Sequence, residues 1–551
     1  MTRDTIDDAP VPDVAEAFEG VDLATDPTLL PPGMLSDGMN VMMQGDGIIR
    51  RRPGLKRVAS FVGAISAANY TSSPVVRGLA YYDTPTTERL VAAIERRIVE
   101  TTSADDNQTA TDIGTLSSEG TETREEMAMV QLLDHIFYLC NGRINYMTYS
   151  GGAWGFGTVT AFSDTTAMPM WSRLVVHNFR LYAMEANGYK LYASAIGSAV
   201  STADWVKTDN IRVGSGEGDP ARALVAGQGP FLTMLNARSC WQINTSDAAV
   251  ANWTSQAVTR LTGCVEGKTA VQVGQDVFFL AREGVVNLGS LANTDSIAPR
   301  ATLSAPIQPI IDRINWTYIS TAFAVKWADF YLLALPLDSN VRPKHIVAFN
   351  TLTRRWMPVW DFDTSMTSSI TDPDGGTVAY TGLTCGVVAN FADKAETLLA
   401  DNCGRVYRLD PTAIVDFYAG VDGGGSVVTS LVTRHMVHLE NGAPKQPVLC
   451  EVETNNSQII TPVELALLCE GATPMSTYQT YPTNAIPIPP LNVTDYNTSL
   501  ASGPATKRFN IRNKQRYRRA AVQVFALNGN GLRVRRITLK SFVDAPDISN
   551  G

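Results

Sequence analysis

Residues 171–193 read WSRLVVHNFRLYAMEANGYKLYA: an apolar run, a short polar turn, and a second apolar run that leads through a glycine-bearing turn into a third. Runs this short, rich in Val, Leu, Tyr and Ile and bounded by Asn and Gly, are the mark of strands joined by tight turns. The same pattern recurs along the chain, in residues 75–99 (VVRGLAYYDTPTTERLVAAIERRIV), 130–149 (VQLLDHIFYLCNGRINYMTY), 221–243 (ARALVAGQGPFLTMLNARSCWQI), 268–288 (KTAVQVGQDVFFLAREGVVNL), 321–350 and 386–409. With the second turn of each copy as a ruler, the anchors are Arg97, Gly142, Gly188, Arg238, Gly284, Lys344 and Gly404, spaced by 45, 46, 50, 46, 60 and 60 residues.

A period of about 40–50 residues is what three or four short strands with their turns consume, and it is the period of a propeller blade. A single blade leaves both faces of its sheet bare, whereas a ring of blades covers each face with a neighbour. The expectation is therefore an all-β chain with a degenerate six- or seven-bladed β-propeller over residues 60–415. The alternative is a series of unrelated hairpins in two or three β-sandwiches. Few stretches hold apolar residues at helical spacing for more than two turns, and no WD or Asp-box signature is present.

The two ends differ in charge. Residues 1–49 carry ten acids and one base, Arg3; residues 501–551 carry eleven bases and two acids, Asp544 and Asp547. Residues 1–19 are expected to form a flexible acidic arm, and residues 20–59 an N-terminal platform segment that switches sign at RRRPGLKR (50–57). Residues 426–540 regain strand patterning and are expected to form a β-sandwich-like platform domain. A Pro-, Asn- and Thr-rich loop (477–499) interrupts it, and residues 541–551 form a tail. Salt bridging between chain ends, or between subunits, accounts for both charge biases at once. Arg50, Arg51, Arg52, Arg512, Arg516, Arg518 and Arg519 are accordingly taken as an assembly interface, in preference to a phosphate grip built on RNKQRYRR (512–519).

With 551 residues, 44% hydrophobic and 18% charged, the chain exceeds one compact core and is too apolar to be disordered. A net charge of -9 argues against wrapping nucleic acid. The seven cysteines are scattered with no CxxC spacing, which reads as reduced, buried thiols rather than a zinc site. The start of the chain shows no signal-peptide pattern, and no apolar run approaches the ~20 residues of a membrane span. His135 and His177 sit inside apolar strands and read as structural. His435 and His438 fall on opposite faces of a strand, which disfavours a shared metal. The glycine-rich VGSGEGDP (213–220) ends in Asp219-Pro220, which stops any helix there, so it reads as a connection and not a nucleotide loop. No HExxH, G-x-S-x-G or Walker motif and no carboxylate pair of glycosidase type is recognisable, so neither an enzyme nor a cofactor or metal site is expected.

The most specific stretch is GVDLATDPTLLPPGMLSDGMNVMMQGDGIIRRRPGLKR (20–57). Its Leu30, Pro31, Pro32, Gly33, Asn40, Asp46, Gly47, Arg50, Arg52, Pro53 and Gly54 resemble the opening of the β-propeller tail nozzle, or tail hub, proteins of short-tailed bacteriophages. FNTLTRRWMPV (349–359) resembles that family's strand–turn–Trp hairpin, and KRFNIRNKQRYRRAAVQVFAL with GLRVRRITL its terminal strands. The close resemblance covers about 40 residues. It implies a structural virion protein, assembled in the host bacterial cytoplasm into a hexameric ring below the portal and its head–tail adaptor. Such a ring continues the DNA-ejection channel and carries fibres. Duplex DNA would pass without being specifically bound, no membrane would be entered, and loop 472–500 or 102–122 would plug or rim the channel. The rival classes are a receptor-binding fibre or spike and a propeller glycosidase acting on surface glycans.

Overall fold

A computed structural model describes residues 11–61, 74–94, 97–102, 108–116, 127–186, 188–214, 218–227, 229–292, 302–362, 369–371, 377–391, 394–413, 416, 428–434, 436–437, 445–455, 463–469, 485–491, 504–511, 519–527 and 533–543. The chain is all-β, built as a succession of small, mainly antiparallel sheets with, among the described residues, only short helical turns between them.

Seven of these sheets follow one another along the chain. Sheet 1 holds Val76–Thr84, Thr87–Ile94, Arg97–Thr101 and Thr111–Thr115; sheet 2 holds Met129–Leu132, His135–Cys140, Arg143–Ser150 and Ala153–Val159. Sheet 3 holds Trp171–His177, Arg180–Glu185, Lys190–Ala193 and Asn210–Arg212, and sheet 4 holds Ala221–Ala226, Phe231–Asn236, Cys240–Asn244 and Thr254–Thr259. Sheet 5 is Val271–Val273, Asp276–Ala281 and Gly284–Asn287. Sheet 6 starts with Phe323–Trp327, Phe330–Leu335 and His345–Asn350, and sheet 7 with Leu383–Phe391, Lys394–Asp401 and Arg405–Asp410. All seven anchors read from the sequence lie between, or at the boundary of, the second and third strands of successive sheets.

The first strand of each sheet lies against the first strand of the next, and that of sheet 7 returns to sheet 1. The reason is written in the second strands. In RLYAME (180–185), Leu181 and Ala183 enter a core shared with sheet 2, while Tyr182 and Met184 enter one shared with sheet 4. In HIFYLC (135–140), Phe137 and Leu139 face sheet 3, while Ile136, Tyr138 and Cys140 face sheet 1. A strand covered on both faces has no polar side, so it reads as a continuous apolar run rather than an alternating one. At ~1.5–3 kcal/mol per large buried apolar side chain, these inter-sheet cores are the main stabilisation of the circuit.

The circuit is closed by a strand from the far end of the chain. Gly54–Ser60 pairs antiparallel with Arg405–Asp410, so sheet 7 takes its fourth strand from residues that the sequence placed in the platform segment 20–59. That partner could not be read locally, because it lies hundreds of residues away.

Two further sheets are shared by both ends of the chain. One runs Val41–Met43, Ile49–Arg51, Arg533–Val543, Lys445–Asn455, Pro504–Asn510, with Val11–Glu16 also pairing on Arg533–Val543. The other runs Gly20–Val21, Met34–Met39, Val428–Thr433, Arg519–Leu527, Val463–Cys469, Ala485–Leu491. Their inner faces (Val452, Ile537 and Leu539 of the first; Leu465, Val522 and Val524 of the second) belong to one core, which continues into sheets 5 and 6 through Met42, Met43 and Trp356.

Several sequence expectations change here. Residues 11–16 of the expected flexible arm form a strand, held by its full-length register on residues 536–541. The expected tail contributes residues 541–543 to the last strand. Within the proline-rich loop, Ala485–Leu491 is an edge strand, a position where a missing backbone N–H is tolerated. Within 102–122, Thr111–Thr115 is the fourth strand of sheet 1 rather than a free loop.

Candidate assembly site

The segment 40–55 enters the core as two short strands joined by a turn at Gly45 and Gly47, both at positive φ. Its three consecutive arginines take three different environments. Arg50 is partly exposed and pairs with Asp46 four residues back. Burial alone raises the Asp46 carboxyl, but the Arg50 side chain and the Ile48 amide outweigh it and hold the group below its ordinary value. Arg51 is half-buried and donates to the Ala413 carbonyl. Burial, then repulsion from Arg52, pushes its pKa down to about 10, which leaves it charged at neutral pH.

Arg52 is fully buried and therefore cannot be the assembly contact the sequence assigned to it. Its guanidinium makes a two-pronged ion pair with buried Asp416, Nη1 to Oδ1 at 3.0 Å and Nη2 to Oδ2 at 2.6 Å. Nε donates to Asn40 Oδ1 at 2.8 Å, the remaining donors reach the Pro53 and Asp361 carbonyls, and the Phe362 ring lies 4.0 Å from the guanidinium carbon. Asn40 sits at φ 59°, a region that Asn tolerates better than most residues, and its Oδ1 also accepts from the Asp361 amide at 2.7 Å. An arginine run suggests a surface because isolated charges are costly to bury; five satisfied donors and a stacked ring remove that objection here.

Among the C-terminal arginines, Arg519 is exposed at the start of its strand, in register with Val437. Arg512, Arg516 and Arg518 lie outside the described residues, as do His435 and His438. The four assigned arginines that are described, Arg50, Arg51, Arg52 and Arg519, thus take separate environments.

Charge from the two ends does meet elsewhere. Arg536 reaches Glu16 at 3.6 Å and Glu453 at 2.6 Å, Arg535 reaches Glu453 at 3.1 Å, and Arg508 and Lys540 both reach Glu451, at 2.8 and 3.2 Å. Hydrogen bonding to Glu453, then its charge, raises the Arg536 pKa. An open cleft of about 700 Å³ beside this ladder is lined by Glu16, Glu19, Asp46, Arg355, Arg535 and Arg536, among others. Four acids and three bases share it once Glu453 is counted, so it presents no single sign of charge. The sequence pointed to this seam through composition alone; Glu451 and Glu453, the acids that organise it, carried no motif.

A second buried network lies inside sheet 7. Asp401 Oδ2 accepts from Arg405 Nε at 2.8 Å and from Tyr407 Oη at 2.9 Å, while its Oδ1 takes the Cys403 and Arg405 amides. This local network shapes the turn between the second and third strands. His135 lies 2.6 Å from Asp134, and burial holds His177 below its ordinary pKa. Among the described residues, no three His, Cys, Asp or Glu side chains cluster as metal ligands, and no helix is long and apolar enough to cross a membrane.

No family model and no curated protein matches the chain. A solved structure of PorZ, an essential bacterial surface component of the type-IX secretion system of Porphyromonas gingivalis, is similar at 12% identity and a TM-score of 0.33. The likeness covers 65% of this chain and 44% of that one, and at this level it carries no argument.

Proposed function

We propose that this protein is a structural component of a short-tailed bacteriophage virion: a tail nozzle or hub that assembles into a ring and continues the DNA-ejection channel below the portal and adaptor. In this reading the closed circuit of seven sheets is a seven-bladed β-propeller. The two sheets built from both chain ends are the platform that meets neighbouring copies and the adaptor, and fibres attach to the outer surface.

The observation that carries the reading is the position of the GVDLATDPTLLPPG…DGIIRRRPG segment. It is the stretch that resembles the tail family, and it supplies strands to both end sheets and the closing strand of sheet 7. The charge of the chain supports it in a second way. An acidic wall gives a polyanion no phosphate grip, so a duplex slides rather than sticks.

The test is the mass and shape of the purified full-length protein, alone and in the particle that carries its gene. Native mass measurement and negative-stain images should show a closed ring with an axial hole. Arg516→Glu with Arg519→Glu should weaken that ring and leave the folded monomer. A trimer that binds sugar, or turnover of an oligosaccharide, would replace the reading.

A further inference from the structure

We infer that neighbouring copies join head to tail by continuing one β-sheet, the Val11–Glu16 edge of one copy pairing with the Pro504–Asn510 edge of the next. The inference rests on the ring reading above and names the surface that would close it.

Across its middle this end sheet runs Val11–Glu16, Arg533–Val543, Lys445–Asn455, Pro504–Asn510, each antiparallel to the next. Among the described residues the first and last of these strands pair on one side only. An unpaired strand edge is a template for another chain, and proteins that must stay apart shorten such edges or fill them with proline. The companion sheet does both: one of its edges is the two-residue strand Gly20–Val21, and the other, AIPIPPL (485–491), holds Pro487, Pro489 and Pro490. The edges at issue carry six and seven residues, with proline only at Pro12 and Pro504, near their starts.

Direction and charge both fit. Four strands alternating in sense leave the two edges running opposite ways, so a copy brought alongside by rotation about a ring axis meets its neighbour antiparallel. That is the hairpin-like pairing these strands already use. On the outer face, one cross-strand row is Glu16, Arg536, Glu453, and the adjacent row is Val14, Thr538, Glu451, Arg508. The first row begins acid, base, acid, and the next member beyond Glu16 in that alternation is a base. Arg508 has 71% of its side chain exposed at the opposite edge, and it comes diagonal to Glu16 of the adjoining copy when Arg508 and Val14 stand opposite. A contact between two different edges is heterologous, the kind that generates rings when the rotation closes.

The experiment uses the full chain. Glu16→Arg and Arg508→Glu each place like charge across the junction and should raise the concentration for half-assembly at least about tenfold, read by sedimentation velocity. The double swap in one chain should return it to near the wild-type value, with thermal melts showing that every variant folds. Independently, Val14→Cys or Glu16→Cys combined with Arg508→Cys should give an oxidant-dependent ladder of linked copies, since the seven native thiols are buried. Wild-type rings with no ladder and no response to the swaps would overturn the edge pairing while leaving the ring standing. Linked open filaments would support the edge and overturn the ring. A wild-type chain that stays monomeric at every concentration would overturn both.

Discussion

Arg52 and Asp416 stand 364 residues apart in sequence and form a doubly hydrogen-bonded ion pair with neither side chain exposed to solvent. The pair joins the end of the N-terminal motif to the chain just after sheet 7, and the Leu55 amide, inside the closing strand, also donates to Asp416 Oδ1 at 2.8 Å. One carboxylate therefore fixes both the entry into the circuit and the exit from it.

Removing one member of such a pair leaves the other charge buried without its partner. Arg52→Ala and Asp416→Ala should each lower stability by about 3–5 kcal/mol in denaturant unfolding, and the double variant by clearly less than their sum. Additive losses would mean that the two side chains do not act as a unit. Arg50→Ala, at a partly exposed pair, should cost under about 1 kcal/mol.

The inter-sheet cores predict an unusual symmetry. Leu181 and Tyr182 are adjacent in sequence, point to opposite faces of one strand, and are both buried. Leu181→Ala should cost about 2–5 kcal/mol and Tyr182→Ala about 3–5 kcal/mol. In a strand with one solvated face, one of the two would be nearly silent, and that outcome would count against a circuit of sheets.

How far the sequence revealed this architecture follows from the same geometry. Strands covered on both faces, such as Phe231–Asn236 and Phe330–Leu335, announce themselves as apolar runs between turn residues, so the all-β class and the positions of the repeats were legible. Val11–Glu16 was not, because its partner is the basic strand Arg533–Val543 and an acid-rich stretch alone reads as solvated. Ala485–Leu491 was hidden by prolines that only an edge tolerates. Arg52 was misread because three arginines in a row share one hydropathy and only the fold separates Arg50 at the surface from Arg52 in the core. Asp416 carried no signal, being a single acid in the otherwise apolar stretch AIVDFYA (413–419), whose meaning depends on a residue far upstream.

All seven cysteines are buried, and their chemistry should show it. Burial pushes the Cys264 and Cys450 thiols up to about 12 from an ordinary 9.0, and Cys240 higher still. The native chain should therefore react slowly with a thiol reagent at pH 8, and fully once unfolded. The sign of the linked pH effect follows: below pH 9 both states hold these protons, whereas above it the unfolded chain releases them and the folded chain does not. Stability from these groups is thus intact up to about pH 9 and falls as pH rises from there through about 12. Rapid native labelling of several thiols would contradict their burial.

The proposed passage of DNA makes a prediction about weakness rather than strength. Glu16, Glu451 and Glu453 already engage Arg536, Arg535, Arg508 and Lys540, so the basic C-terminal strands are neutralised from within the chain before any phosphate arrives. With a net charge of -9 over the whole chain, the protein as a whole repels a duplex rather than displacing its counterions. Duplex DNA should show no measurable retention by the assembled protein at physiological salt, and lowering the salt should bring only a shallow gain. Glu451→Gln with Glu453→Gln removes the carboxylate partners of Arg508, Lys540 and Arg535 and leaves Arg536 only Glu16, and should create salt-sensitive DNA binding where there was none. Tight binding by the unaltered protein, falling steeply as salt is added, would mean that the chain holds a polyanion instead of letting it pass.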